Sequence, residues 1–276
     1  MTTVFAEEMA TIERLTRDIK SAMSSLTPRE ARFLVDLYYQ IQDNRLGAKN
    51  QERALEKSGE PHSVITWIAD NSKLMENDIK KALEKYVESR EDGRWLLSIY
   101  GIGPIIAAGL LAHIDITKAP TAGHIWSYCG LNPKVKWEKG QKRPWNAAMK
   151  KLCWVTGQVF MKFSGRDECF YGKMYLARKA YEVEKNKNKE FAEQAAEILR
   201  TKKIGTSTEA YKAYSQGYLP PAHIEMRAER YAVKMFLSHV HHVMYEVYYG
   251  HPPVRPYILV HEPEKHVDYI PPINWP

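Results

Sequence analysis

A glycine turn between two apolar stretches is the first feature of the sequence that could do chemistry. Residues 101–104 read Gly-Ile-Gly-Pro, between apolar residues 94–100 and 105–114. Glycine tolerates backbone angles that side chains disfavour, and proline fits the first turn of a helix. The free N–H groups at such a helix start attract phosphate, because the helix dipole is positive there. We predict that the turn contacts nucleic acid through Gly101, Ile102, Gly103 and Ile105.

Two apolar helices joined by this turn are typical of a helix-hairpin-helix. That motif contacts the sugar-phosphate backbone and not the base edges, so it positions a nucleic acid without reading its sequence. The alternative is an ordinary helical hairpin with a glycine turn. The thin side chains after the turn, Ala107, Ala108, Gly109 and Ala112, also predict that a neighbouring segment approaches this helix closely.

A basic stretch follows the hairpin and could neutralise further phosphates. Its cations continue into the next helix, and Glu138 is the one acidic residue among them. Charged residues flank Trp137 on both sides, so we expect this indole to be exposed and able to stack on a base. The neighbouring Tyr128, Trp126, Trp145 and Trp154 could also stack on unpaired bases, but we expect most of them to be core. The predicted basic contacts are Lys134, Lys136, Lys139, Lys142, Arg143, Lys150 and Lys151.

Other reactive residues give candidate sites of different chemistry. His239 and His242 share a helix face with Glu246, which could hold a metal; histidines near a helix end also stabilise the helix without metal. Ser164 and Tyr171 are candidate nucleophiles. The sequence has neither Walker spacing nor a nucleophile elbow, and we predict no cofactor.

The composition limits the protein class. The chain has 276 residues, with 40 Lys and Arg against 33 Asp and Glu, and its isoelectric point is near 9.1. That excess of positive charge permits a polyanionic partner. The odd, widely spaced cysteines and the lack of a membrane-spanning apolar run predict a cytoplasmic protein without a membrane contact.

Helical periodicity predicts the elements that must position these residues. The first predicted helices cover residues 6–24, a stretch that starts at Thr27 with a capping box to Glu30, residues 64–89, and the two arms of the hairpin. Further helices are predicted after Thr121 (a short one), after Trp145, over residues 170 to about 199, and from Pro220 to Gly250. We predict a polar loop over 43–62, with one short helix near 52–56. The proline-rich end should be extended and docked on its own domain or on a partner.

The middle of the chain resembles a known family through two motifs. Residues 97–104 (Leu-Ser-Ile-Tyr-Gly-Ile-Gly-Pro) and 128–133 (Tyr-Cys-Gly-Leu-Asn-Pro) are similar to the C-terminal domain of DEDD-type, bridge-RNA-guided insertion-sequence recombinases. The resemblance covers roughly 94–179 and continues more loosely to residue 249. It implies binding of DNA or RNA, and it also implies catalysis by four acidic residues of a RuvC-like domain and by a serine in the basic loop.

Both halves of that catalytic apparatus depart from the family pattern. Helical patterns occupy the place of the RuvC-like domain, and residues 136–140 read Lys-Trp-Glu-Lys-Gly, without a serine before the glycine. Ser164 precedes a glycine, but it lies past the following helix. The resemblance therefore implies the binding half of a transposase and not a working one.

These observations predict a mainly α protein with three regions. They are an N-terminal region of amphipathic helices (1–92), which could pair with a second copy, a helix-hairpin-helix domain (93–250) and an extended proline-rich tail (251–276). The predicted function is binding of a nucleic-acid backbone, with DNA favoured over RNA, and without a catalytic centre of its own. Two alternatives stay open: a recombinase with an unrecognised nucleophile or a catalytic domain supplied by a partner, and a helical interaction protein that binds no nucleic acid.

Overall fold

Helices account for all the regular structure that is described. The structure is a computed structural model that describes residues 22–60, 62–254 and 269–276, with the Ser24 side chain excepted; it contains no β-strand in these residues, which confirms the mainly α prediction. Short 3-10 helices cover Met23–Ser25 and Ile116–Lys118. The α-helices are α1 (Pro28–Ser58), α2 (Ser63–Glu88), α3 (Glu91–Ser98), α4 (Pro104–His113), α5 (Ala122–Tyr128), α6 (Ala147–Lys162), α7 (Phe170–Lys187), α8 (Ala192–Thr201), α9 (Glu209–Ser215) and α10 (Pro221–Tyr249).

The helices form two compact units. The first unit contains the described chain up to Ser98 and then Ile102–Thr117, which is α1 to α4; the second contains Ile99–Gly101 and the chain from Lys118 onward, which is α5 to α10. The boundary therefore falls inside the glycine turn. The predicted regions 1–92, 93–250 and 251–276 stay a prediction, because units of packed helices do not by themselves define functional domains. The helix predicted over 6–24 lies almost wholly outside the described residues.

In the first unit, α1 begins as predicted and ends later than predicted. Thr27 accepts a hydrogen bond from the Glu30 N–H at 3.3 Å, and the Glu30 carboxylate accepts one from the Thr27 N–H at 2.8 Å. This capping box satisfies two N–H groups that the helix cannot bond internally. The loop predicted over 43–62 is wrong, since α1 continues to Ser58.

Contacts with α2 explain why α1 stays helical through its polar half. Arg45 forms an ion pair with the buried Glu76, and Thr66 donates a hydrogen bond to Glu52 at 2.6 Å. A side chain at Gly47, midway along α1, would meet no atom within 4 Å, and the helix continues through this glycine without interruption. Tertiary contacts therefore outweigh the loop-like composition of this stretch.

The core of the first unit is the short helix α4. All ten of its residues are buried, and it packs on both α1 and α2. Ala107 and Ala108 have no exposed surface, as expected from their small side chains. The chain turns at Ser89 and Arg90, and Gly93 lies within α3.

In the second unit, α5, α6 and α7 pack on the long helix α10. Phe236 of α10 makes edge contacts with the rings of Phe160 and Tyr171, at centroid distances of 5.4 and 5.1 Å. The helix ends at Gly250, whose left-handed backbone (φ +75°) favours glycine. Both ends of α10 were predicted correctly, because proline and glycine are strong boundary residues.

The single helix predicted from 170 to about 199 is wrong. It breaks into α7 and α8 at residues 188–191, where Lys189 adopts a φ of +58°. Asn186 stabilises the break, because its amide both donates to and accepts from the Leu219 backbone, at 2.9 Å each. A small apolar cluster then covers α8; its members are Phe191, Ala195, Ile198, Leu219 and Ile224.

The last eight residues dock on the histidine-bearing face of α10. The His239 Nε2–H donates to the Ile270 carbonyl at 2.9 Å, and the Trp275 indole donates to Glu246 at 2.9 Å. Pro272 is buried. This confirms the docked tail for residues 269–276. None of the described helices is both long and apolar enough to cross a membrane.

Candidate nucleic-acid interface

The two glycines of the turn have different structural roles. Gly101 has a φ of +89°, and a Cβ there would lie 2.7 Å from Val159 Cγ1, so both conformation and packing require glycine. Gly103 has an extended backbone (φ −94°, ψ 175°), and a Cβ there would meet nothing within 4 Å. Nothing within the described chain therefore requires glycine at position 103, while a close approach from outside would.

The start of α4 leaves N–H groups without acceptors. Gly103 is its N-cap and has no side chain to accept a hydrogen bond, and Pro104 has no N–H. No acceptor in the described residues bonds the N–H groups of Gly103 and Ile105. The Ile102 and Ile105 side chains are buried, so only backbone groups of the turn could reach a ligand.

The basic loop between α5 and α6 is exposed along its length. Hydrogen bonds hold its base: the Asn146 N–H donates to the Tyr128 carbonyl at 2.9 Å, and the Asn146 amide donates to the Tyr128 hydroxyl at 3.0 Å. None of its cations forms an ion pair within the described residues. All seven predicted basic residues are exposed; they are Lys134, Lys136, Lys139, Lys142, Arg143, Lys150 and Lys151.

Trp137 is exposed, as predicted from its charged neighbours. Its side chain is 46% exposed, and its indole N–H donates to the Gln141 carbonyl at 2.8 Å. The Arg143 guanidinium lies 5.0 Å from the ring centroid. This cation–π contact holds the ring and the cation together on the loop surface.

Trp145 joins the basic loop to the Tyr-Cys-Gly-Leu-Asn-Pro motif. A Cβ at Gly130 would lie 2.8 Å from the Trp145 ring, and Gly130 also has a φ of +68°. The Lys150 ammonium lies 4.1 Å from the centroid of the Trp145 ring. Packing against the Trp145 ring therefore requires glycine at position 130. The same ring holds the Lys150 ammonium beside the basic loop.

Two basic residues of this surface were not predicted. Arg230 and Lys234 lie on α10, far along the chain from the basic loop. Partial burial and the charges of Arg143 and Arg230 lower the pKa of Lys150, and partial burial with Arg230 lowers the pKa of Lys234. Cations from three segments therefore face one another. The only sequence signal for Arg230 and Lys234 is their spacing of four residues, which places both on one face of α10.

Trp154 is an exception to the expectation that most of the nearby tryptophans are core. Its side chain is 52% exposed, more than that of Trp137. The buried positions of α6 are Met149, Leu152, Cys153, Thr156, Gly157 and Phe160. Val155, Val159 and Phe163 are only half-buried, so hydrophobicity alone does not identify the side of α6 that is covered.

The candidate nucleophiles lie in unfavourable surroundings. Tyr171 is buried, its hydroxyl donates to His239 Nδ1 at 2.7 Å, and burial raises its pKa, so the phenolate is disfavoured. Ser164 follows the end of α6, and within the described chain its hydroxyl has no hydrogen-bond partner that could act as a base. Ser164 therefore lacks the nucleophile–base pair that covalent catalysis needs, whereas Tyr171 has a base in His239 but both side chains are buried away from any substrate.

The candidate metal ligands hold the tail instead. Both ring nitrogens of His239 are hydrogen bonded, one to Tyr171 and the other to Ile270. His242 contacts the Tyr269 hydroxyl at 2.8 Å and Glu246 at 3.3 Å. Both candidate ligands therefore have other partners, and among the described residues no group of three or more ligand-type side chains could hold a metal ion.

The hairpin and the basic loop lie together in one segment that matches a known protein family. Residues 93–151 match the Transposase IS116/IS110/IS902 family. This transposase-like segment covers about a fifth of the chain. It contains the glycine turn, α4, α5, the basic loop and the first turn of α6. No curated protein and no solved structure matches the chain.

Proposed function

We propose that this protein binds the sugar-phosphate backbone of DNA or RNA through its transposase-like segment and through two cations of α10, Arg230 and Lys234. We also propose that its own role is binding and not catalysis. The observation that carries the proposal is the exposed basic loop without ion-pair partners in the described chain. A patch of unpaired cations is costly in self-repulsion, and a polyanion relieves that cost by neutralising it.

Each unit contributes a contact of its own kind. In the first unit, the Gly103 and Ile105 N–H groups at the positive end of α4 bind one phosphate, and the missing side chain at Gly103 allows its close approach. In the second unit, the basic loop, Lys150, Arg230 and Lys234 neutralise further phosphates. Both contacts address the backbone, so the protein positions a nucleic acid without reading its bases.

Salt dependence tests this function. Anisotropy titrations against duplex DNA, single-stranded DNA, a branched junction and a structured RNA should show affinity that falls by about 0.9 log units per neutralised phosphate for each decade of salt on duplex. Changing Lys136 and Lys139 together to glutamine should reduce that slope by roughly 2 log units per decade. The control is Lys187→Gln, an exposed lysine paired with Glu184 in the same unit.

Three results would contradict the proposal. If none of the four ligands binds at low salt, the proposed function is refuted and a protein-interaction role is favoured. Equal slopes for the double variant and the control would remove the basic loop from the interface. A covalent protein–DNA adduct that is lost in Ser164→Ala would instead assign a recombinase.

The first unit also presents a surface suited to a second copy of this chain. On α2 five large apolar side chains recur with helical spacing and are 42–65% exposed; they are Val64, Trp67, Ile68, Leu74 and Met75. The exposed Asp70 lies beside this apolar stripe, three residues after Trp67 and four before Leu74. We propose that the stripe forms a homo-oligomer interface.

Light scattering after size exclusion tests the oligomer. The unaltered chain should elute as a dimer or larger, and Trp67→Glu should shift it to the mass of one chain, because a buried unpaired carboxylate is strongly unfavourable. Leu176→Glu, at an exposed apolar residue of α7, should change nothing. A single-chain mass for the unaltered protein over a wide concentration range would refute the interface.

A further inference from the structure

The solvent face of α6 has an indole at its centre. At 100° per residue, the buried positions of α6 lie on one side of the helix, and Trp154 lies near the middle of the other. With 52% of its surface exposed, Trp154 contributes little to the core of the second unit. Its large aromatic face is therefore available to a ligand.

The surroundings of Trp154 are cationic. Lys150 and Lys151 lie four and three residues before it, which places them beside it on the helix surface. Gln158 lies four residues after it, and α6 contains no aspartate or glutamate. An isolated exposed apolar residue is ordinary on a protein surface, but an indole at the centre of a carboxylate-free basic face has the composition of a single-strand binding site.

The neighbouring helix α10 adds a further cation at the same place. Gly157 lets the two helices approach, since a Cβ there would lie 2.4 Å from the Glu229 side chain. The Glu229 carboxylate accepts a hydrogen bond from Gln158 at 2.9 Å and is buried in that contact. Arg230, the next residue, is exposed and close enough to Lys150 to lower its pKa.

The two nearby tryptophans serve other purposes. Lys150 covers the Trp145 ring at 4.1 Å, and the Trp126 indole N–H donates to the Lys234 carbonyl at 3.1 Å. Both of these rings are half-buried, and each has a lysine ammonium near its face. Trp154 has no such partner in the described chain, so its ring face is not already occupied by a cation.

We propose that Trp154 is a stacking platform for an unpaired base, with the adjacent phosphates bound by Lys150 and Arg230. The proposal rests on the nucleic-acid binding proposed above and narrows it to a ligand with single-stranded or extrahelical nucleotides. Stacking needs only the flat face of a base, so the site accepts any base. A paired base within a duplex offers no free face, so this site distinguishes single strands from duplexes.

Variants of Trp154 test the platform. Trp154→Ala should weaken binding of a single-stranded oligonucleotide by roughly 5- to 150-fold and change duplex affinity less than twofold, because about 1–3 kcal/mol per stacked base is lost. Trp154→Phe should recover most of the loss, since phenylalanine keeps an aromatic face. The control is Tyr181→Ala, an aromatic residue of α7 that is 51% exposed and lies beside paired cations.

The outcomes separate this proposal from the general one. If the unaltered protein binds with a steep salt dependence and Trp154→Ala binds single strands equally well, the platform is wrong and backbone binding stands. If Trp154→Ala and Trp154→Phe lose affinity equally, stacking is wrong. If the unaltered protein binds no nucleic acid at low salt, both proposals fail, and loss of self-association in Trp154→Ala would assign the indole to a protein contact. Circular dichroism of each variant checks that it is folded.

Discussion

Replacing Glu182 with alanine is expected to lower the free energy of unfolding by about 3 kcal/mol. Its carboxylate is 1% exposed and pairs with Arg178 at 2.6 Å and with Arg227 at 2.7 Å. Without it, two guanidinium groups would face each other with no counter-charge. Because they are 31% and 27% exposed, water compensates part of the loss, and we expect the lower end of the range for broken buried pairs.

Urea unfolding at neutral pH measures this effect. The matched control is Glu197→Ala in α8, whose carboxylate pairs with Arg200 while both side chains are more than half exposed. That change should cost less than about 1 kcal/mol. Equal losses in the two variants would mean that burial does not set the strength of the Glu182 cluster.

Mild acid is expected to destabilise the protein through its buried histidines. Burial lowers the pKa of His239 to about 4, from an ordinary value near 6.5. Between these values the unfolded chain binds a proton that the folded chain excludes, so the free energy of unfolding falls as the pH falls. For His239 alone the loss between pH 7 and pH 5 is about 2 kcal/mol. Burial shifts His113, His223, His241 and His242 in the same direction.

The pH window separates histidines from carboxylates. Burial raises the pKa of Glu182, but hydrogen bonds from Arg227 and Arg178 outweigh it, so its net pKa is lowered and its contribution is lost only below about pH 4.5. Urea unfolding at pH 7 and pH 5 of the unaltered chain and His239→Gln should show a smaller difference in the variant. His62→Gln, at an exposed histidine without a capping hydrogen bond, should keep the full difference. An unchanged pH dependence in His239→Gln would contradict this assignment.

His239 also connects the pH effect to the end of the chain. The Ile270 carbonyl can only accept, so His239 Nε2 must donate to it, and Nδ1 must then accept from Tyr171. A second proton on His239 would reverse the bond to Tyr171 and leave the buried Tyr171 O–H without an acceptor in the described residues. Tail docking therefore gives His239 a partner at each ring nitrogen, while the other buried histidine of α10, His241, bonds the Ala119 carbonyl at 2.8 Å.

Local chemistry in the sequence determined the helix boundaries and several features of the candidate interface. Thr27 with Glu30, the prolines before α10 and Gly250 after it define helix ends through hydrogen bonds or backbone angles that the neighbouring residues decide. The exposure of Trp137 followed from its charged neighbours. The glycine turn and the basic loop were found as motifs because their residues are consecutive.

Only the tertiary structure decided the features that depend on distant residues. Ion pairs with α2 support α1 as far as Ser58, and the hydrogen bonds of Asn186 with Leu219 stabilise the break between α7 and α8. Arg230 joins Lys150 because Gly157 lets α6 approach α10. The same approach fixes which side of α6 is buried, and so leaves Trp154 exposed. Periodicity shows that a helix has two faces, but which of them is covered depends on packing between segments far apart in the chain.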